Sequence, residues 1–382
     1  MLGKVIQSFH SQFGKNVRLF MAPGRINLIG EHTDYNDGFV MPAAISKHFA
    51  FAVAPNQSDV FSFHARDLNE KIQFSIKELK PGTHWQNYLM GVVDGLVKRG
   101  RIPGGVNCVF SSNIPAGAGL SSSAALCSGF GFALNSIFKL GLDRLELARI
   151  AQESEHHFIG AKVGIMDMYG SLFSKKDSVM LLDCRNFKHG YLPLKIDDHA
   201  ILLIDTKVKH SLASSGYNDR RMSCEEGVKI IQRRFEKVKS LRDVTLSMLE
   251  EAKPDMGAIV FKRCAYVVRE IERTQKAASQ LKAGHLADFG LLMYETHWGL
   301  SKDYEVSCDE SDWLVSFAQA NGVTGARQMG GGFGGCTINL IQKELRTAFE
   351  EKVREKYFAR FKKEPEFYSV NLANGVHEVV DG

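Results

Sequence analysis

Residues Gly330-Gly331-Gly332-Phe333-Gly334-Gly335 place five glycines in six positions, directly ahead of Cys336 and an apolar stretch at 337–341. Such a run is not selected for core packing, because glycine gives up more conformational freedom on folding than any other residue. Two structures satisfy it. One is a backbone that comes close to ligand phosphates; the other is a tight turn between a helix and a strand. Taken alone, the run does not choose between them.

A second glycine segment shifts the balance. Gly117-Ala118-Gly119-Leu120-Ser121-Ser122-Ser123 follows an extended stretch and leads into a helical run at 126–138. Serine is a favoured helix cap, but one serine fills that role. Three serines after two glycines point to phosphate binding. Backbone N–H groups and the helix N-terminus would meet the anion, and hydroxyls would donate to phosphate oxygens or ligate Mg²⁺. No Gly-Lys-Ser/Thr follows, so this is not a Walker A loop. With this loop present, the first reading of the 330–335 run gains.

Two further segments carry candidate chemistry. Between Gly24-Arg25 and Gly38, the residues Glu31, His32 and Asp34 crowd polar groups into a glycine-bounded loop. Convergent donors and acceptors suit a polyhydroxylated ligand, although a capped surface turn has the same spacing. In Gly164-Ile165-Met166-Asp167, a carboxylate sits among apolar neighbours. It reads equally as a cap or as a functional acid, since buried carboxylates are rare without a partner.

The rest of the chain bounds these readings. Its 382 residues suggest two domains sharing a cleft, divided near 183–195 into 1–190 and 191–382. Apolar segments at 49–54, 106–111, 179–183, 201–205 and 337–341 read as strands. Helices are expected at 143–158, where Asp143 and Glu146 form a capping box, and at 225–239 and 258–281. The class is α+β or mixed α/β. The formal charge of +5 forms no basic stripe interleaved with aromatics, so no nucleic-acid partner is expected. The seven cysteines are odd in number and lack metal-type spacing, so free thiols in a reducing compartment are expected. Neither a signal peptide nor a membrane-spanning run is apparent. A cytoplasmic protein is the expectation, with no membrane partner.

Together these segments resemble the three signature motifs of the GHMP kinases, and the first, from Gly24 to Ile45, resembles the galactokinase signature in particular. Further matches lie at 84–88, 163–167, 208–215 and 303–308, so the resemblance covers nearly the whole chain. It implies an N-terminal domain of the ribosomal-protein-S5 type and a ferredoxin-like C-terminal domain, with the active site between them. It implies ATP-dependent phosphorylation of the C1 hydroxyl of galactose, probed against two other readings: a kinase of a related sugar such as N-acetylgalactosamine, galacturonate or arabinose, and a non-catalytic sugar sensor. The resemblance gives Asp167 the role of proton acceptor and Arg25 that of its partner. Glu31, His32, Asp34, Gly164 and Tyr217 match sugar-binding positions. Residues Gly117 to Ser123, with Gly330 and Gly331, match the nucleotide site; Ser123 and Glu155 match Mg²⁺ ligands. A monomer is expected. The chain departs from the family pattern at Met168, where Gln is usual after the aspartate, and at Gln328-Met329, where Met-Thr is usual. Each puts an apolar side chain where the family has a polar one beside the site.

Overall fold

A computed structural model describes residues 1–82, 85–194, 196–208 and 215–379. His84 and residues 209–214 of the family match, and Lys195 at the end of the expected boundary, lie outside the described residues.

In the first half, α1 (Leu2–Phe13) precedes β1 (Arg18–Asn27), β2 (Phe39–Val40), β3 (Pro42–Pro55), β4 (Val60–Ala65) and β5 (Glu70–Ser75). Then come α2 (Gln86–Lys98), β6 (Val106–Ser112), α3 (Ser122–Phe138), α4 (Arg144–Ser154), α5 (Met166–Phe173), β7 (Ser178–Asp183) and β8 (His189–Pro193). The second half holds β9 (His199–Asp205), α6 (Ser215–Gln232), α7 (Leu246–Ala252), α8 (Ala258–Ala283), α9 (Leu286–Lys302) and α10 (Asp309–Ala320). It closes with β10 (Gly325–Gln328), β11 (Cys336–Gln342), α11 (Arg346–Phe361), β12 (Glu366–Val370) and β13 (His377–Val379).

A six-stranded sheet of order β13-β1-β3-β6-β4-β5 organises the first half. Side chains alternate across a strand, and β3 shows the consequence. Phe49, Phe51 and Val53 enter a large core under α2, α3 and α4, while Ala50 and Ala52 face α1 with Val5 and Phe9. The sheet is therefore covered on both faces. β3 is longer than the expected 49–54 because its start, at Pro42 to Ala44, pairs with the end of β1 beyond an irregularity between Pro23 and Arg25. A small sheet, β2-β7-β8, lies alongside.

The second half contains an antiparallel sheet of order β10-β11-β9-β12. Taken in chain order its strands and helices run β-α-β-β-α-β, with the first and third strands central, which is the ferredoxin-like arrangement. The final strand, β13, leaves this sheet and pairs with β1, so the end of the chain packs with the first half.

The helices at 143–158 and 258–281 form, with differences at their ends. Asp143 accepts from the Glu146 N–H and Glu146 bonds back to the Asp143 N–H, closing the capping box of α4. α4 ends at Ser154, and residues Glu155–Ile159 widen into a π-turn. The helix expected at 225–239 begins ten residues earlier, at Ser215, and ends at Gln232. There the Gln232 side chain donates to the Val238 carbonyl at 2.7 Å, and Val238 turns back into the core with Ile231. Periodicity carried the expected helix too far because both residues are apolar on the correct side.

α2 and α4 cross closely at Gly91, where a Cβ would lie 2.8 Å from the Ser154 Cα. Ser154 also donates to the Tyr88 carbonyl at 2.7 Å. Substituting Gly91→Ala should therefore force the helices apart at a cost of about 1–3 kcal/mol. Denaturant unfolding should show that loss, whereas the same change at exposed Gly3, which has open space around it, should leave stability unchanged or improved.

Candidate functional site

The site begins where β1 ends. Arg25 is almost fully buried, and its guanidinium meets Asp167 on two parallel bonds, Nε to Oδ1 at 2.8 Å and Nη2 to Oδ2 at 2.9 Å. Its Nη1 donates to the Gly119 carbonyl at 2.7 Å, joining the pair to the serine loop. Burial alone would lower the Arg25 pKa, but the Asp167 charge and hydrogen bonds raise it overall. Two-point pairing of this kind fixes both orientation and charge. Asp167 lies in the first turn of α5. Its carboxylate keeps some solvent contact, with a fifth of its side chain exposed.

Ser121 occupies the position before α3 with a left-handed backbone, and its side chain makes no capping bond. Instead its hydroxyl donates to Asp167 Oδ2. The simple-cap reading of this loop therefore fails for Ser121. Ser122 and Ser123, at the start of α3, line the same cavity together with Gly117, Gly119 and Leu120. Ala118 is fully buried behind them.

The 330–335 run serves both of the structures its sequence allowed. A Cβ at Gly332 would collide with the Val306 carbonyl, and the Phe333 N–H donates to that carbonyl at 2.6 Å. That half is a tight turn. Gly330 and Gly331 line the cavity, and a Cβ at Gly330 would lie 3.5 Å from the Gly119 carbonyl oxygen of the serine loop. The Gly330 N–H donates to Glu31 Oε1 at 2.9 Å.

The polar loop after β1 folds against both halves. Glu31 pairs with the fully buried Arg327 at 2.9 Å. Asp34 accepts the N–H of Tyr35 at 3.0 Å and that of Met166, in the first turn of α5, at 3.2 Å. Gly164 sits so near that a Cβ there would overlap the Asp34 carboxylate. Burial, and secondarily the charge of Asp167, push Asp34 up to about 6 from its ordinary 3.8. His32 Nδ1 meets the Tyr35 hydroxyl at 2.7 Å, and its ring packs 5.3 Å from that of Tyr217 and 4.8 Å from that of Tyr304. This aromatic cluster includes Tyr35 and Tyr304, which the sequence offered only within family matches.

Arg25, Asp167, Glu31, His32, Asp34 and Tyr217 line a cavity of about 340 Å³ together with the two glycine segments. Of the residues to which the resemblance gives a catalytic, sugar, nucleotide or Mg²⁺ role, all but Ala118 and Glu155 line it. Glu155 lies just behind, at the start of the π-turn, hydrogen-bonded to Ser123. Burial raises it to about 8, with Ser123 opposing the shift and Asp167 adding to it. A buried carboxylate beside a hydroxyl is an oxygen pair suited to a hard cation such as Mg²⁺. Among the described residues no cluster of three acidic, His or Cys side chains could hold a metal unaided, so such a cation would draw further oxygens from phosphates. Tyr88, Pro115, Ile159, Val163 and Met166 also line the cavity without a role assigned from sequence; Tyr88, Val163 and Met166 had surfaced only within family matches. Met168 and Met329 are buried in the core and do not line the cavity.

The described cysteines are all free, and all but Cys308 are buried. Among the described residues no helix is long and apolar enough to cross a membrane.

Comparison with known proteins fits this geometry. The galactokinase galactose-binding signature matches residues 7–55. The GHMP kinase N-terminal domain matches 87–175 and the C-terminal domain 277–359. A galactokinase of Thermotoga neapolitana is 41% identical over 94% of this chain and 99% of its own length. The chain belongs to the galactokinase family of GHMP kinases. A galactokinase of Clostridium acetobutylicum is 38% identical over 99% of this chain and 98% of its own. The crystal structure of Lactococcus lactis galactokinase complexed with galactose superposes with a TM-score of 0.95 at 33% identity, covering 99% of this chain and 100% of that one. A mevalonate kinase structure shares the fold at a TM-score of 0.62 and 21% identity, covering 93% of this chain and 99% of that one.

The Asp34 environment sets a pH dependence in the ligand-free protein. Its folded pKa lies above its unfolded one, so the folded state binds the proton more tightly. That contribution is complete below about pH 4 and is lost as pH rises through about 6. Thermal melts at pH 4 to 7 should show wild type losing stability relative to Asp34→Asn across this window. Parallel curves would remove Asp34 as the cause.

Proposed function

We propose that the chain is a galactokinase, transferring the γ-phosphoryl group of ATP to the C1 hydroxyl of α-D-galactose to give galactose 1-phosphate and ADP. The observation that carries this reading is the Arg25–Asp167 pair lining one cavity together with Glu31, His32 and Asp34 and with the serine loop. The galactose complex of a relative with the same fold supports the choice of sugar.

The sugar binds against Glu31, His32, Asp34 and Tyr217, whose acceptors and donors meet its hydroxyls. Gly164 leaves room for the Asp34 carboxylate and so shapes the same subsite. The C1 hydroxyl faces Asp167. A sugar hydroxyl is a poor acid and a carboxylate a weak base, but a loose phosphoryl-transfer transition state needs little early deprotonation. Asp167 orients the hydroxyl and takes its proton as the new O–P bond forms and the bond to the ADP oxygen breaks. Arg25 orients Asp167 through its two parallel hydrogen bonds and adds positive charge beside the transferring group. The loop from Gly117 to Ser123 and the start of the glycine run at Gly330 and Gly331 enclose the nucleotide phosphates. Mg²⁺ would be held by Ser123 and Glu155 and, when bound, neutralises charge on the phosphate oxygens. Holding both substrates in line supplies the rest of the acceleration.

The enzyme works as a monomer in the cytoplasm on this reading, with the 1–190 and 191–382 halves enclosing the site and β13 returning across them. The free cysteines support a reducing compartment. A charge balance without a basic stripe supports the absence of a nucleic-acid partner.

A coupled ADP-release assay with ATP and Mg²⁺ should show galactose turned over fastest among galactose, N-acetylgalactosamine, galacturonate and arabinose. A different preferred sugar would redirect the assignment, and no ADP with any sugar would favour a sensor. Asp167→Asn should bind galactose in calorimetry while kcat falls by roughly 10²–10⁴, the usual reach of acid–base assistance. Near-normal turnover would remove Asp167 from the chemistry. Gly164→Ala, by displacing the Asp34 carboxylate, should raise KM for galactose more than KM for ATP.

A further inference from the structure

Arg327, on β10, has no solvent-exposed surface. Its guanidinium uses all three nitrogens. Nε donates to the Leu28 carbonyl at 2.8 Å, Nη2 to the Asn27 carbonyl, and Nη1 to the Gln328 carbonyl at 2.6 Å and to Glu31 Oε1 at 2.9 Å. An arginine is costly to bury unless paired and hydrogen-bonded, and here every bond but one reaches the segment that carries Glu31.

Glu31 Oε1 has a second donor, the Gly330 N–H at 2.9 Å. A single carboxylate oxygen thus receives Arg327 from β10 and the first glycine of the 330–335 run. Glu31 itself comes from the loop beside His32 and Asp34, and both Glu31 and Gly330 line the cavity. A structural strut could have used the carbonyls of Asn27 and Leu28 alone. The extra bonds to a cavity carboxylate tie a sugar-facing residue to a nucleotide-facing backbone.

We propose that Arg327 is a positioning residue that, through the shared Glu31 carboxylate oxygen, couples occupancy of the sugar site to occupancy of the nucleotide site. The inference rests on the galactokinase reading above. A change in the Glu31 carboxylate on sugar binding is felt at the Gly330 N–H, and a shift of Gly330 on nucleotide binding is felt at Glu31. Coupling of this kind is reciprocal, so either ligand reports it.

The test is calorimetric titration of the full chain with galactose, with and without saturating ADP. In wild type, ADP should change galactose affinity by about fivefold or more, within the usual range of coupling between sites. Arg327→Lys keeps the charge but offers one ammonium in place of a planar fork, so it cannot span the same acceptors. In that variant the ratio of the two affinities should fall towards one. A merely structural role predicts something else: both galactose affinities weaken equally, with the ratio intact, and that result overturns the inference. So does a ratio of one in wild type. Should Arg327→Lys fail to fold, Glu31→Met provides the second measurement, because it removes the shared acceptor oxygen and leaves the Asn27 and Leu28 bonds in place. A ratio unchanged from wild type in Glu31→Met also overturns the coupling. If wild type binds no galactose at all, the functional reading fails, which the wild-type titration alone distinguishes.

Discussion

The paired bonds between Arg25 and Asp167 organise the rest of the site. Arg25 is nearly sealed from solvent, and a buried guanidinium without a partner would cost several kcal/mol. Its partner must therefore be delivered from elsewhere in the chain, and α5 delivers Asp167 in its first turn. The third bond, to the Gly119 carbonyl, brings the serine loop to the same place. Ser121 then gives up a helix-capping role to reach Asp167. One ion pair thus fixes the end of β1, the start of α5 and the loop before α3 with respect to one another.

A second buried pair, Arg327 with Glu31, does for the two halves what the first does for the cavity. It links the ferredoxin-like sheet to the loop that follows β1. Glu270 in α8 adds to this by accepting the Gly30 N–H at 3.0 Å and the Thr296 hydroxyl. The loop is consequently held at several points by groups that are themselves buried. A rigid loop suits a ligand that offers many weak hydroxyl contacts, since little ordering remains to be done when it binds.

Much of this was legible in the sequence because glycine and serine at close spacing have few structural uses. The segment from Gly117 to Ser123 was expected at a phosphate site, and the family resemblance carried Asp167, Arg25 and the 31–34 loop to a common site. The cavity brings them together. Less was legible where the reason lies in a distant contact. The helix expected at 225–239 stops at Gln232 because its side chain bonds Val238, a fold-back that periodicity does not record. Arg327 passed unremarked, since one arginine before a glycine run says nothing about which carbonyls it will meet. The departures at Met168 and Met329 looked like changes beside the chemistry, yet both side chains point into the core.

Residue patterning by itself pointed to an α+β or mixed α/β class, and the resemblance of its motifs to the galactokinase signature carried the family and the candidate sugar and nucleotide residues, because a motif is local in the chain. Only the tertiary structure decided which donor serves which acceptor. Ser121 reaches Asp167 instead of capping α3, the Gly330 N–H meets Glu31, and Arg327 ties the halves together. The reason is physical: burial makes every unpaired polar group costly, and the partners that relieve that cost lie more than forty, and in two cases about three hundred, residues away along the chain.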